Sequence, residues 1–255
     1  MKTRWMMPAL LCLGLAGCGV EGDVDKQEAP EQPAIDLQAE LIDIARAAAA
    51  TGGRVGIALA TGDEVIHVGL SGESWAWSTI KVPLAIEAER RDVAGELIDP
   101  TITLSDNNTS YQLARNIDFD LSELPHVPEL DPLPGETLWP LREQAQFAAE
   151  IPCLDTGGST YAAMAEIVDW QSYGLAEIDG ARFKGGWGID APHQYSIRQL
   201  ATVPVDGGYI GIAVQTYPDD ASHDQGMAVL DVIGQKLDQL IDAHDLTPAA
   251  ICNAY

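Results

Sequence analysis

Three short clusters stand in one order along this chain: Ser78-Thr79-Ile80-Lys81, then Ser105-Asp106-Asn107, then Lys184-Gly185-Gly186. Lysine is scarce, with five copies in 255 residues. Lys2 falls in an N-terminal leader and Lys26 in a polar stretch, so Lys81 and Lys184 are two of the three left for a folded domain. Any fold for this chain must therefore explain why hydroxyls, an amide and two of the domain's three lysines are gathered into three segments.

The leader sets the compartment. Lys2 and Arg4 precede an apolar run from Trp5 to Gly17, too short for a typical spanning helix and laid out as a secretory signal. Leu15-Ala16-Gly17-Cys18 resembles a bacterial lipobox, which implies a signal peptide over 1–17 and lipid on Cys18; a plain cleaved signal is the alternative. Residues 18–33 form an acidic tether with Pro and Gln and too few apolar residues to fold. Residues 34–255 suit one domain. Its cysteines, Cys153 and Cys252, are expected to pair in an oxidising compartment, with a buried free pair as the other reading. The net charge of −25 repels nucleic acid and anionic lipid. Membrane attachment would then depend on the lipid, with the domain outside the cytoplasm on the bacterial cell membrane.

The apolar residues Leu37, Leu41, Ile44 and Ala48 recur at helical spacing behind Asp36, a natural cap. Arg54–Ala60 and Val65–Leu70 are β-rich runs about a Gly62-Asp63 turn. Arg182–Gly188, Tyr195–Val203 and Tyr209–Tyr217 read as three more strands, and Gln225–His244 as a closing helix with Met227, Leu230, Ile233, Leu237 and Leu240 on one stripe. The middle is helical and loop-rich. Terminal strands gathered in one antiparallel sheet, flanked by helices and with a helical subdomain beside it, give an α+β fold with a cleft at the junction.

Ser78 and Lys81 lie three apart, so a helix starting near Ser78 places both on one face and adds a positive dipole that favours a developing oxyanion. A serine hydroxyl becomes nucleophilic when a base removes its proton, and a desolvated lysine can be that base. Taken alone, Ser105-Asp106-Asn107 reads as a helix cap. Lys184 shares a strand face with Arg182.

The three clusters in this order, with Val82-Pro83-Leu84-Ala85 after the first and Phe183 and Trp187-Gly188 around the third, resemble the class A β-lactamase and penicillin-binding group of serine hydrolases. The likeness is greatest to β-lactamase-like lipoproteins of actinobacteria and runs from about Arg54 to His244. It implies Ser78 as nucleophile, Lys81 as its base, Ser105 as the hydroxyl that protonates the leaving nitrogen, and Lys184 as the group holding Ser105 and a substrate carboxylate. Asn107 would hold substrate or Lys81, and Asp106 would be structural. Gly186 would border the substrate, and the N–H groups of Ser78 and Trp187 would form the oxyanion hole. Arg198 is either a second carboxylate anchor or an ordinary exposed strand arginine.

The same resemblance marks departures. Gly185 replaces a Ser or Thr hydroxyl that grips the substrate carboxylate, and Trp187 replaces a small residue. Ser78 and Ser105 are closer in sequence than in true class A enzymes, which implies a reduced helical subdomain. Those enzymes release the acyl group with a loop glutamate. Here the loop offers Glu123, Glu129 and Glu136, with Val127 in the glutamate's register and Glu136 at the loop's closing acid.

The expected function is hydrolysis of β-lactam or related amide bonds through an acyl-serine, by a monomer acting on a small or peptidoglycan-like substrate without a cofactor. A slowly deacylating penicillin-binding or D,D-peptidase-like protein, or a non-catalytic lipoprotein that keeps the fold, are the alternatives. His67, His126, His193, His223 and His244 lack metal-ligand spacing, so no metal is expected. Trp75, Trp77 and Trp187 form either a substrate rim or ordinary packing.

Overall fold

The computed structural model describes residues 35–70, 74–190 and 194–252. The signal segment 1–17, Cys18 and the tether to residue 33 lie outside the described residues, as does His193. Asp36 accepts a hydrogen bond from the Ala39 N–H at 3.1 Å, starting helix α1 (Leu37–Ala49), whose Leu41, Ile44 and Ala48 are buried. Strands β1 (Gly53–Thr61) and β2 (Glu64–Gly69) follow as a hairpin, with Thr61 opposite Glu64 across the two-residue turn.

A 3₁₀ turn at Trp77–Ile80 runs into helix α2 (Lys81–Arg90), which is buried from Lys81 to Ala88. Helices α3 (Ile98–Thr103) and α4 (Asn107–Asn116) pack on α2, and after a long irregular stretch come α5 (Leu141–Leu154) and the short α6 (Ser159–Ala163). This compact set is the helical subdomain. Strands β3 (Arg182–Asp190), β4 (Gln194–Val205) and β5 (Gly208–Pro218) then form a meander, and α7 (His223–Ala243) closes the fold.

All five strands join in one antiparallel sheet of order β2-β1-β5-β4-β3, so the first hairpin docks on the last strand. Alternation of side chains assigns the layers. Ala58, Ala60 and Ala213 pack with Leu141, Ala145 and Ala149 of α5, while Ile57, Leu59, Ile212 and Val214 are buried with the α1 and α7 stripes. Small residues let α5 lie close: a Cβ on Gly211 would fall 2.0 Å from the Ala145 carbonyl oxygen. Cys153, near the end of α5, is disulfide-bonded to Cys252.

The expected elements occur, most of them a residue or two longer than the sequence reading placed them. In α7 the buried stripe also includes Gly226, Val229 and Gly234, while Met227 is only partly buried. Helix α2 starts at Lys81 rather than at Ser78, and the serine sits in the 3₁₀ turn ahead of it. Side chains three apart eclipse in a 3₁₀ turn, so Ser78 and Lys81 still share a face.

Candidate active site

Three pieces of backbone meet at the junction of sheet and helical subdomain. The first is the Trp77–Ile80 turn, entered through Trp77 with a left-handed φ of 49°. The Trp77 indole N–H donates to the Ser196 hydroxyl at 3.1 Å, and the ring lies edge-on to Trp75 with centroids 5.1 Å apart. Thr79 donates to the Ala76 carbonyl and receives a 2.8 Å bond from the Gln144 amide, so the residues on both sides of Ser78 are held from below.

The second piece is edge strand β3. A Cβ on Gly186 would sit 2.5 Å from the Ser78 backbone nitrogen and 2.7 Å from the Trp77 Cβ, inside any real contact distance. Glycine is therefore what allows β3 to lie against the serine turn. This contact brings the Ser78 N–H beside the Gly186-Trp187 segment.

The third piece is the loop before α4. Asp106 caps α4 by accepting from the Thr109 N–H at 2.8 Å, and that N–H is the main reason its carboxyl lies below the usual range. Ser105, one residue earlier, is left-handed at φ 59°. Lys81, at the first position of α2, donates to the Ser105 carbonyl at 2.5 Å, the Ser105 hydroxyl at 3.2 Å and the Asn107 side-chain oxygen at 2.7 Å. Lys184, from β3, donates to the same hydroxyl at 3.0 Å and to the Gly185 carbonyl at 3.0 Å.

Burial decides the protonation of both lysines. Desolvation pulls the Lys81 ammonium down to about 8, although the Asp106 charge works in the opposite direction. Lys184 is fully buried; desolvation first, and the Lys81 charge second, hold it well below its usual value. A lysine that is partly neutral near physiological pH can accept a proton, and a seryl hydroxyl bonded to two lysines can pass one on.

The structure thus joins Lys81, Ser105, Asn107 and Lys184 directly. Ser78 lines one cleft with Lys81, Asn107 and Trp187, about 380 Å³ in volume. The Lys81 ammonium bonds to Ser105 and Asn107 rather than to the Ser78 hydroxyl.

Arg198 departs from both readings of it, since it is neither exposed nor turned to a substrate. It is fully buried, and its two terminal nitrogens are spent on Ser74, the Trp75 and Trp139 carbonyls and the Gln144 side chain at 2.7–3.0 Å. Burial lowers it to about 10. Gln144 passes this support to Thr79, a role the sequence did not signal because polar residues on helices are ordinarily solvated.

Glu136 lies on a one-turn 3₁₀ element, Pro134–Glu136, and lines the Ser78 cleft. Val127 and Glu129 instead line a separate cavity of about 530 Å³ with Phe119 and Leu121. A cavity of about 840 Å³ between α3 and α6 is strongly acidic and contains neither lysine. Among the described residues no cluster of three His, Cys, Asp or Glu could hold a metal. His223 is occupied with the Tyr195 hydroxyl at 3.0 Å and the Trp187 ring at 5.0 Å.

No family model and no curated protein matches this chain. Solved structures do. A β-lactamase from Burkholderia vietnamiensis superposes with a TM-score of 0.62 at 14% identity, covering 82% of this chain and 97% of that one. An ancestral class A β-lactamase gives 0.59 at 16%, covering 80% and 100%. A proposed class A β-lactamase, PenP from Rhodopseudomonas palustris, gives 0.61 at 17%, covering 79% and 99%.

The fold is that of the class A β-lactamases. Nearly the whole of each such structure is matched, so the sheet, the helical subdomain and the junction between them are all present here.

Proposed function

We propose that this chain is a β-lactamase-like serine hydrolase that opens β-lactam or related amide bonds through an acyl group held on Ser78. The observation that supports this most is the Ser105 hydroxyl held between the amines of Lys81 and Lys184, 3.2 and 3.0 Å away, at the edge of the Ser78 cleft. In this reading the Ser78 Oγ bonds to the substrate carbonyl carbon while its proton passes to neutral Lys81. The N–H groups of Ser78 and Trp187 hold the oxyanion. Ser105 then protonates the departing nitrogen and is recharged from Lys81, with Lys184 fixing its rotamer.

Release of the acyl group needs an activated water, and among the described residues lining the cleft Glu136 is the one carboxylate. Val127 in the glutamate register and Glu129 on another cavity support slow release, the behaviour of a penicillin-binding or D,D-peptidase-like protein. A chromogenic cephalosporin distinguishes the two: a burst followed by a low steady rate is expected, and rapid sustained turnover would assign Glu136 as an efficient base.

The actinobacterial lipoprotein likeness, lipid on Cys18, the 18–33 tether and a monomeric domain outside the cytoplasm belong to the same proposal and are supported by the sequence. Fatty-acid labelling of the native protein that disappears in Cys18→Ser is the corresponding test.

A further inference from the structure

The Lys81 ammonium is spent on Ser105 and Asn107, so the Ser78 hydroxyl takes its position from the turn that carries it. That turn is entered through Trp77, whose φ of 49° is left-handed, a strained conformation for a tryptophan that persists only where the surroundings impose it. Three separate segments impose it. The Ala76 N–H donates to the Thr137 carbonyl at 2.8 Å, the Trp77 indole donates to Ser196 of β4 at 3.1 Å, and Thr79 is reached from α5 by Gln144 at 2.8 Å.

The bond from α5 has a direction. A guanidinium only donates, so Gln144 turns its side-chain oxygen to the Arg198 Nη2, 2.8 Å away, and its side-chain nitrogen to the Thr79 Oγ1. Thr79 therefore accepts from Gln144, and its single hydroxyl hydrogen goes to the Ala76 carbonyl. The same carbonyl takes the Thr79 N–H at 3.1 Å, the bond that closes the 3₁₀ turn over Trp77 and Ser78. Arg198, Gln144, Thr79 and Ala76 are all fully buried, so solvent does not replace a missing member.

We infer that Gln144 and Thr79 are positioning residues for the nucleophile: a one-way hydrogen-bond chain from Arg198 through α5 to the Ala76 carbonyl sets where the Ser78 Oγ stands for attack. This rests on Ser78 being the acylated residue. The chain touches no substrate and moves no proton, so it acts on the rate of acylation and leaves substrate binding alone. A neutral amide at 144 accepts at one end and donates at the other. A carboxylate there would still pair with Arg198, but it only accepts, and it would draw the Thr79 hydrogen away from Ala76.

Single-turnover reaction of a chromogenic cephalosporin with the protein in excess gives the dissociation constant and the acylation rate constant separately. Thr79→Val, Thr79→Ser, Gln144→Glu and the Gln144→Glu/Thr79→Val pair are compared on the high-pH plateau, where the charge of a new carboxylate no longer matters to Lys81. Thermal melts give the folded fraction, and mass spectrometry reads acyl-Ser78. Thr79→Val and Gln144→Glu are each expected to slow acylation by about ten- to hundredfold, the scale of a small misplacement, with the dissociation constant unchanged. Thr79→Ser, which keeps the hydroxyl, should restore most of the rate. The double variant should be no slower than the slower single variant, because one chain is broken once. A wild-type acylation rate per folded molecule in Thr79→Val and Gln144→Glu, or losses that multiply in the double variant, overturns the positioning role and leaves the acyl-serine reading standing. Absence of acyl-Ser78 in the unaltered protein overturns that reading and the positioning role with it.

Discussion

The Lys184 Nζ donates to the Ser105 hydroxyl at 3.0 Å, tying the edge strand of the sheet to the loop before α4 across 79 residues of chain. Because Lys81 donates to the same oxygen, three separate segments depend on one hydroxyl for their relative placement. The protonation of Lys81 then becomes the quantity on which the chemistry turns.

Acylation is expected to rise with pH along a single limb with a midpoint near about 8, the value to which desolvation brings Lys81. The base form is the neutral amine, so activity is low below this midpoint and levels off above it. Asp106→Asn keeps a capping side chain and removes the charge that holds Lys81 up, so the midpoint should move to lower pH. Lys81→Ala should slow acylation by about 10²–10⁴-fold. Burst-phase rates across pH give all three results.

Gly186→Ala is expected to lower acylation by roughly a hundredfold or more, in line with the cost of an ångström of misplacement. The new methyl group would lie 2.5 Å from the Ser78 backbone nitrogen, which no side-chain rotation can move aside, so the serine turn has to shift. Far-ultraviolet circular dichroism should remain that of the native sheet while the acylation rate falls.

Much of the frame is visible in the sequence. Strands β1, β2, β4 and β5 are rich in β-branched residues about the Gly62-Asp63 and Gly207-Gly208 turns, and α1 and α7 show their stripes. Ser78, Lys81, Ser105 and Lys184 were legible because short motifs fix their chemistry before any contact is known. Arg198 was not: strand alternation gives its face, but what covers that face is Gln144 of α5 and the Ser74 loop, 54 and 124 residues away.

Arg198→Met should therefore act on stability rather than on substrate choice. It leaves the Ser74, Trp75 and Trp139 carbonyls without their donor, and each buried acceptor left unsatisfied typically costs about 1–3 kcal/mol. Thermal or urea unfolding should show this loss. KM for anionic and neutral substrates should shift together; a selective rise for anions would make Arg198 a carboxylate anchor after all.

Asp155 gives the fold its own pH dependence. Its carboxyl is pushed up to about 7, chiefly by burial and then by facing Glu89, while the N–H groups of Tyr161 and Gly158 oppose the shift. From about pH 4 to 7 the folded chain keeps a proton the unfolded chain has lost, so this stabilisation is complete at low pH and disappears as pH rises through 7. Asp155→Asn should flatten that dependence, making the variant the more stable form at pH 8 in paired melts at pH 5 and 8.

The central claim is that Ser78 carries the acyl group. Intact-protein mass spectrometry after brief exposure to a reactive penicillin, followed by peptide mapping, tests it most directly. The expected result is one adduct of the full penicillin mass on the peptide containing Ser78, absent in Ser78→Ala. An adduct retained by Ser78→Ala, or mapped to another residue, would contradict it.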